Sequence, residues 1–127
     1  MTRLSFLLTI ALVAAVLAAP AANAAPSPVH FTISSNAQYV SATTILVPVS
    51  VTCPAGLAGF AFVQVQEQNL TNATGSGFSN VTCSGSSQTL AIVVNGTGFT
   101  PGKAYASGSA SAGVTFDSDT RQIQIVV

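Results

Sequence analysis

The sequence predicts an all-β fold: an immunoglobulin-like β-sandwich of about seven strands, preceded by a signal-peptide helix. Three observations carry this. Apolar and polar residues alternate with a period of two in several short stretches, separated by turn signals about every eight to twelve residues. No segment beyond the leader shows a helical apolar period. The chain of 127 residues is long enough for one domain and no more.

The leader is residues 1–24. Arg3 gives a short positive start, an apolar run follows from Leu4 to Leu17, and Pro20 and the small-residue pattern Ala22-Asn23-Ala24 close it. Charge, apolar run and cleavage pattern in that order mark a secretory signal peptide, so the mature domain is expected over 25–127. The apolar run falls short of the ~20 residues that a membrane span needs. Its Ala-rich style resembles leaders of high-GC Gram-positive bacteria.

The strands follow in order. Weak candidates lie at 30–34 and 77–81. The clearest is 44–53, where Ile45, Val47, Val49, Val51 and Cys53 share one face; Pro48, lacking an N–H, implies an irregularity or an unpaired side. In 59–68, Ala61, Val63 and Val65 alternate with Phe60, Phe62, Gln64 and Gln66. Leu90, Ile92 and Val94 define 88–94, and Asn95-Gly96-Thr97-Gly98 breaks it. In 103–112, Ala104, Ala106, Gly108 and Ala110 oppose Tyr105, Ser107 and Ser109. The last strand, 120–127, sets Ile123 and Ile125 against Gln122 and Gln124.

An exported chain with two cysteines most often joins them. Cys53 ends one strand and Cys83 precedes another that would be its antiparallel neighbour, so a Cys53–Cys83 disulfide is expected. Closing that loop adds about 3–4 kcal/mol by the chain-entropy model.

Composition removes whole classes of function. Only 5% of residues are charged, with three Lys+Arg and three Asp+Glu, against about 25% in an average domain. No basic surface exists to neutralise a row of phosphates, which excludes nucleic acid. Catalysis has little to work with. His30 is the only imidazole, and no G-x-S-x-G elbow accompanies the serines. Glu67 with Asp117 or Asp119 would be the sole choice for a carboxylate pair. Phe116-Asp117-Ser118-Asp119 offers too few oxygens for Ca²⁺ and is read as the turn before the last strand. No catalytic residue, metal site or cofactor is assigned.

Four sequons, Asn69-Leu70-Thr71, Asn72-Ala73-Thr74, Asn80-Val81-Thr82 and Asn95-Gly96-Thr97, are either glycan acceptors or ordinary turn and edge residues. Two other features suggest binding. If Ala61, Val63 and Val65 face the core, then Phe60, Phe62, Gln64 and Gln66 point outward beside Tyr105, Gln122 and Gln124. Such an aromatic and amide face suits an uncharged partner, a glycan or another protein. The rival arrangement is a bulge that turns both Phe inward. The second feature is the small-residue face of 103–112, which leaves a cleft unless large side chains meet it.

Two resemblances follow from these residues. Val49-Ser50-Val51-Thr52-Cys53-Pro54-Ala55-Gly56, Val63 to Gln68, Cys83-Ser84-Gly85 and Pro101-Gly102-Lys103-Ala104 look like the pattern of small uncharacterised exported Ig-like proteins of actinobacteria. That family implies export and a sandwich, and no activity. The leader and the Ala/Ser/Gly-rich composition more loosely resemble the neocarzinostatin-type apoproteins, which hold a small molecule beside one sheet. Phe99 to Tyr105, with Pro101-Gly102 ahead of a Tyr-bearing strand, resembles a turn of fibronectin-type sandwiches. The expectation is a secreted, non-enzymatic Ig-like module for binding, adhesion or surface structure, prone at most to weak self-association and without a membrane span once the leader is cleaved. The alternative is a small-molecule carrier.

Overall fold

The computed structural model describes residues 28–68 and 72–127. The expected signal peptide and the sequon at 69–71 lie outside them. Among the described residues there are eight strands and no helix. They are β1 (His30–Ile33), β2 (Asn36–Ser41), β3 (Thr44–Thr52), β4 (Ala58–Glu67), β5 (Thr74–Thr82), β6 (Gln88–Gly96), β7 (Gly102–Ala112) and β8 (Thr115–Val126).

The all-β class is as expected, but the strands do not form two separate sheets. Hydrogen bonding runs β3-β2-β8-β7-β4-β5-β6 and returns from β6 to β3, a closed ring of seven strands with β1 as an additional partner of β3. Two seams close the ring. One is the parallel pairing of β2 with β8, from Asn36↔Gln124 to Gln38↔Val126. The other joins β5 to β6 at Gly75↔Gly96 and Ser76↔Asn95. Here the backbones approach too closely for side chains: a Cβ on Gly96 would collide with the Thr74 carbonyl oxygen, and one on Gly75 would lie 2.6 Å from the Phe99 ring. Glycine is needed at both positions, and buried Phe99 packs into the space they leave.

Alternation decides what fills the interior. Ile45, Val47, Val49 and Val51 of β3, Ala61, Val63 and Val65 of β4, Ile92 and Val94 of β6, and Ile123 and Ile125 of β8 are all buried, while their neighbours point away. Pro48 fits for a specific reason. The Ser34 N–H donates to the Pro48 carbonyl at 2.9 Å, so this edge of β3 faces the break between β1 and β2. The proline nitrogen falls where β3 has no strand to donate to.

Cys53 and Cys83 form the expected disulfide. Around it, the Gly85 N–H donates to the Cys53 carbonyl at 3.0 Å and the Cys83 N–H to the Leu57 carbonyl at 3.1 Å, tying together the loops after β3 and β5. A formed disulfide in a small β domain accords with an oxidising environment.

Two boundaries differ from expectation. β2 carries few apolar residues and gives little periodic signal; it is fixed by its pairing with β3 and β8. β8 begins at Thr115, so Asp117 and Asp119 are strand residues rather than turn residues; the turn is Gly113-Val114, with Gly113 at φ 60°. Both carboxylates lie on the inner side of β8 and replace a strand that is missing there. The Phe31 N–H donates to Asp117 Oδ2 and the Ile33 N–H to Asp119 Oδ2, each at 2.8 Å. Their spacing of two matches alternate N–H groups along the edge of β1.

Hydrogen bonds to ionised groups contribute about 1.5–3 kcal/mol each, and half-burial reduces that. Replacing Asp117 and Asp119 together by Ala is therefore expected to cost about 2–4 kcal/mol in urea unfolding and to speed amide exchange at Phe31 and Ile33. Unchanged exchange at those two amides would show that the carboxylates do not hold β1.

Candidate functional site

β5, β4, β7 and β8 lie side by side and present one continuous outer face. Register sorts its side chains into rows that cross all four strands. Asn80, Phe60, Ser111 and Phe116 form the first row; Phe78, Phe62, Ser109 and Ser118 the second. Ser76, Gln64, Ser107 and Thr120 form the third, and Thr74, Gln66, Tyr105 and Gln122 the fourth. Gln124 follows opposite Lys103. All seven residues expected to make a binding face, Phe60, Phe62, Gln64, Gln66, Tyr105, Gln122 and Gln124, are thus on the same surface.

The register of β4 is unbroken against both neighbours, so no bulge turns Phe60 and Phe62 inward. They are 42% and 36% exposed, and two rings that sequence reasoning missed are more exposed still: Phe78 at 65% and Phe116 at 74%. Phe60 and Phe78 stack, with centroids 5.4 Å apart and planes 27° from parallel. Phe78 was hidden in a Gly/Ser-rich segment that reads as a weak strand. Phe116 was hidden because β8 starts earlier than its apolar pattern.

One end of the face is thus aromatic and the other carries amides and hydroxyls. Among the described residues of these four strands, Lys103 supplies the face's only full charge. At the polar end a depression of about 200 Å³ is bordered by Gln64, Gln66, Thr74, Tyr105, Ser107 and Thr120. A second, of about 290 Å³, lies on the opposite side of the molecule against Thr32, Ser34, Pro48, Ser50 and Thr89.

The inner face of β7 is covered. Ala104, Ala106, Ala110 and Ala112 are buried, and a Cβ on Gly108 would stand 3.2 Å from the Phe31 ring. The large side chain that these small residues need comes from β1.

The three carboxylates are engaged structurally, and Glu67 stands apart from the two aspartates. Asp117 and Asp119 hold β1, and Arg121 Nε lies 3.4 Å from Asp119 Oδ2. Glu67 is buried at the end of β4, where Thr100 donates to it from its N–H at 2.8 Å and from its hydroxyl at 3.3 Å. Glu67 is level with Ala104 and Asp119 with Gly108, four residues further along β7. That is about 13 Å at ~3.3 Å per residue, beyond the ~5–9.5 Å that a glycosidase pair spans. His30 is exposed on β1. Of the sequon asparagines, Asn72, Asn80 and Asn95 are exposed, and Asn95 Oδ1 accepts from the Thr44 hydroxyl at 3.4 Å. Among the described residues no cluster of three His, Cys, Asp or Glu could hold a metal ion, and no helix is long and apolar enough to cross a membrane.

Compared with known proteins, the chain matches no family profile and no curated protein sequence.

Sequence alone offers Glu67 only as half of a catalytic pair; its position gives it a different task, fixing the loop between β6 and β7. Glu67→Ala is expected to lower stability by about 1–3 kcal/mol, because the buried carboxylate's hydrogen bonds from the Thr100 N–H and hydroxyl are lost. Urea unfolding of the two proteins measures this, and equal midpoints would remove the buried carboxylate from the account.

Proposed function

We propose that the protein is an exported, non-enzymatic immunoglobulin-like module that binds an uncharged partner through the outer face of β5, β4, β7 and β8. The observation that carries this is the face itself. Phe60, Phe62, Phe78 and Phe116 stand exposed in two adjoining rows on a surface with a single charge. Monomeric domains rarely leave a contiguous apolar patch of this kind uncovered unless something binds it. The partner's neutrality follows from how little charge the face offers it to match, Lys103 alone.

The sandwich reading groups β1, β2, β3 and β6 as one layer and β5, β4, β7 and β8 as the other, with the two short seams as joined margins. Kinship with the small exported proteins of actinobacteria belongs to the same proposal, as does export itself, supported by the leader and the disulfide. Phe31 over Gly108 favours a surface binder above a carrier that holds its ligand beside the inner face of β7. The engagement of all three carboxylates by backbone N–H groups, and the distance of Glu67 from the other two, favour a non-enzymatic role.

Changing Phe60 and Phe62 together to Ser is expected to reduce retention of the labelled protein on envelopes of the producing cells at least tenfold. Stability should fall by less than about 1.5 kcal/mol, since both rings stand on the outer face and, among the described residues, only Phe60 has a stacking partner. Undiminished retention by a folded double variant would sink the proposal.

A further inference from the structure

We infer that the depression at the polar end of this face is a subsite for an uncharged carbohydrate chain. The inference rests on the reading of this face as the binding surface and names the ligand class it takes.

The argument begins with the bordering groups. Gln64 and Gln66 each offer two N–H donors and a carbonyl acceptor, and Ser107, Thr120 and the Tyr105 phenol each both donate and accept. A ligand suited to such a set carries many groups that themselves do both, which describes sugar hydroxyls. The exposed Tyr105 ring adds an apolar platform on which the C–H face of a sugar ring can rest. Both features occur within one depression of about 200 Å³, and pockets that orient a small ligand with a few convergent polar groups have this character.

Competing ligand classes meet specific obstacles. An anionic polymer would need a row of cations, and Lys103 is the face's only one. An extended peptide that adds a strand would need a free edge. β4 and β7, which carry Gln64, Gln66, Tyr105 and Ser107, are paired on both sides, so a strand could be added only at the margins of the face and not across the depression. A neutral chain lying on the face needs neither cation nor edge.

The same geometry gives the ligand a length. Gln66 and Phe60 point the same way on β4, six residues apart, or about 20 Å at ~3.3 Å per residue. A chain seated beside Tyr105 and Gln66 can extend over Gln64 to the rings of Phe62 and Phe60, so an oligosaccharide should bind more tightly than a single sugar.

The test is a titration of the intact disulfide-bonded protein, labelled with ¹⁵N, with chitohexaose, cellohexaose and mannohexaose, alongside their monosaccharides and a heparin hexasaccharide. The expected result is saturable shifts at Gln64, Gln66, Tyr105 and Thr120 with a neutral hexasaccharide, at least tenfold tighter than with its monosaccharide. Tyr105→Ala and Gln64→Ala with Gln66→Ala should each weaken it at least tenfold while the Val63 and Ile123 resonances stay in place. No shifts with any neutral sugar at several millimolar overturns the inference, as does preference for heparin. If envelope retention still depends on Phe60 and Phe62 in that case, the face binds protein and only the carbohydrate assignment falls. If retention is also indifferent to those rings, the binding-face reading falls with it. Shifts that depend on protein concentration without sugar assign the surface to a second copy and likewise overturn the inference.

Discussion

Backbone N–H and C=O groups along a strand must be paired wherever water cannot reach them, and where water can reach them they recruit other strands. Most small β proteins guard such edges with charge, and this chain has very little. It joins them by geometry at two short seams. The parallel contact of β2 with β8 and the glycine contact of β5 with β6 turn two layers into one ring. Where the ring leaves β1 outside, Asp117 and Asp119 supply acceptors in place of a strand. A chain with three acidic residues commits two of them to this edge.

The closed edges determine what the surface can do. With β4 and β7 paired on both sides, the proposed recognition at the centre of the face would use side chains, and the strict alternation of β4 makes that face independent of the core. Ala61, Val63 and Val65 fill the interior while Phe60, Phe62, Gln64 and Gln66 stand outside. Outward residues can therefore vary in chemistry without altering packing, and register places them in rows whose neighbours come from distant parts of the sequence. Phe60 and Phe116 share such a row through Ser111.

How far the sequence discloses this depends on whether a residue obeys a local period. β3, β4 and β7 are legible because apolar or small residues recur at every second position, and the Cys53–Cys83 bridge is legible because both cysteines end or precede such runs. The seams are not. Gly96 reads as the start of a turn, yet it is the last residue of β6 and pairs with Gly75, a contact that no local pattern encodes. Asp117 and Asp119 read as a turn for a similar reason. Alternation is present there, but the buried side is polar, because its partner is the backbone of β1 rather than an apolar core. Phe116 is lost to view with them. The outward direction of Phe60 and Phe62 stays ambiguous in sequence, since a one-residue bulge would invert the face; only the unbroken pairing of β4 with two neighbours removes the ambiguity.

Exposed phenylalanines argue most strongly for function when their burial would have been easy. β7 presents small residues to the interior throughout its length, and the chain fills that space with Phe31 from β1 and seals the opposite seam with Phe99, both almost fully buried. Aromatic residues were thus used where the interior required volume. Phe60, Phe62, Phe78 and Phe116 stand instead on the side of the sheet that packs against nothing in the chain, next to amides and hydroxyls that would by themselves keep the surface wet. A domain with so few charges has little repulsion to keep it from self-association, which makes four exposed rings a liability. Their grouping on one face is what the proposed partner would cover.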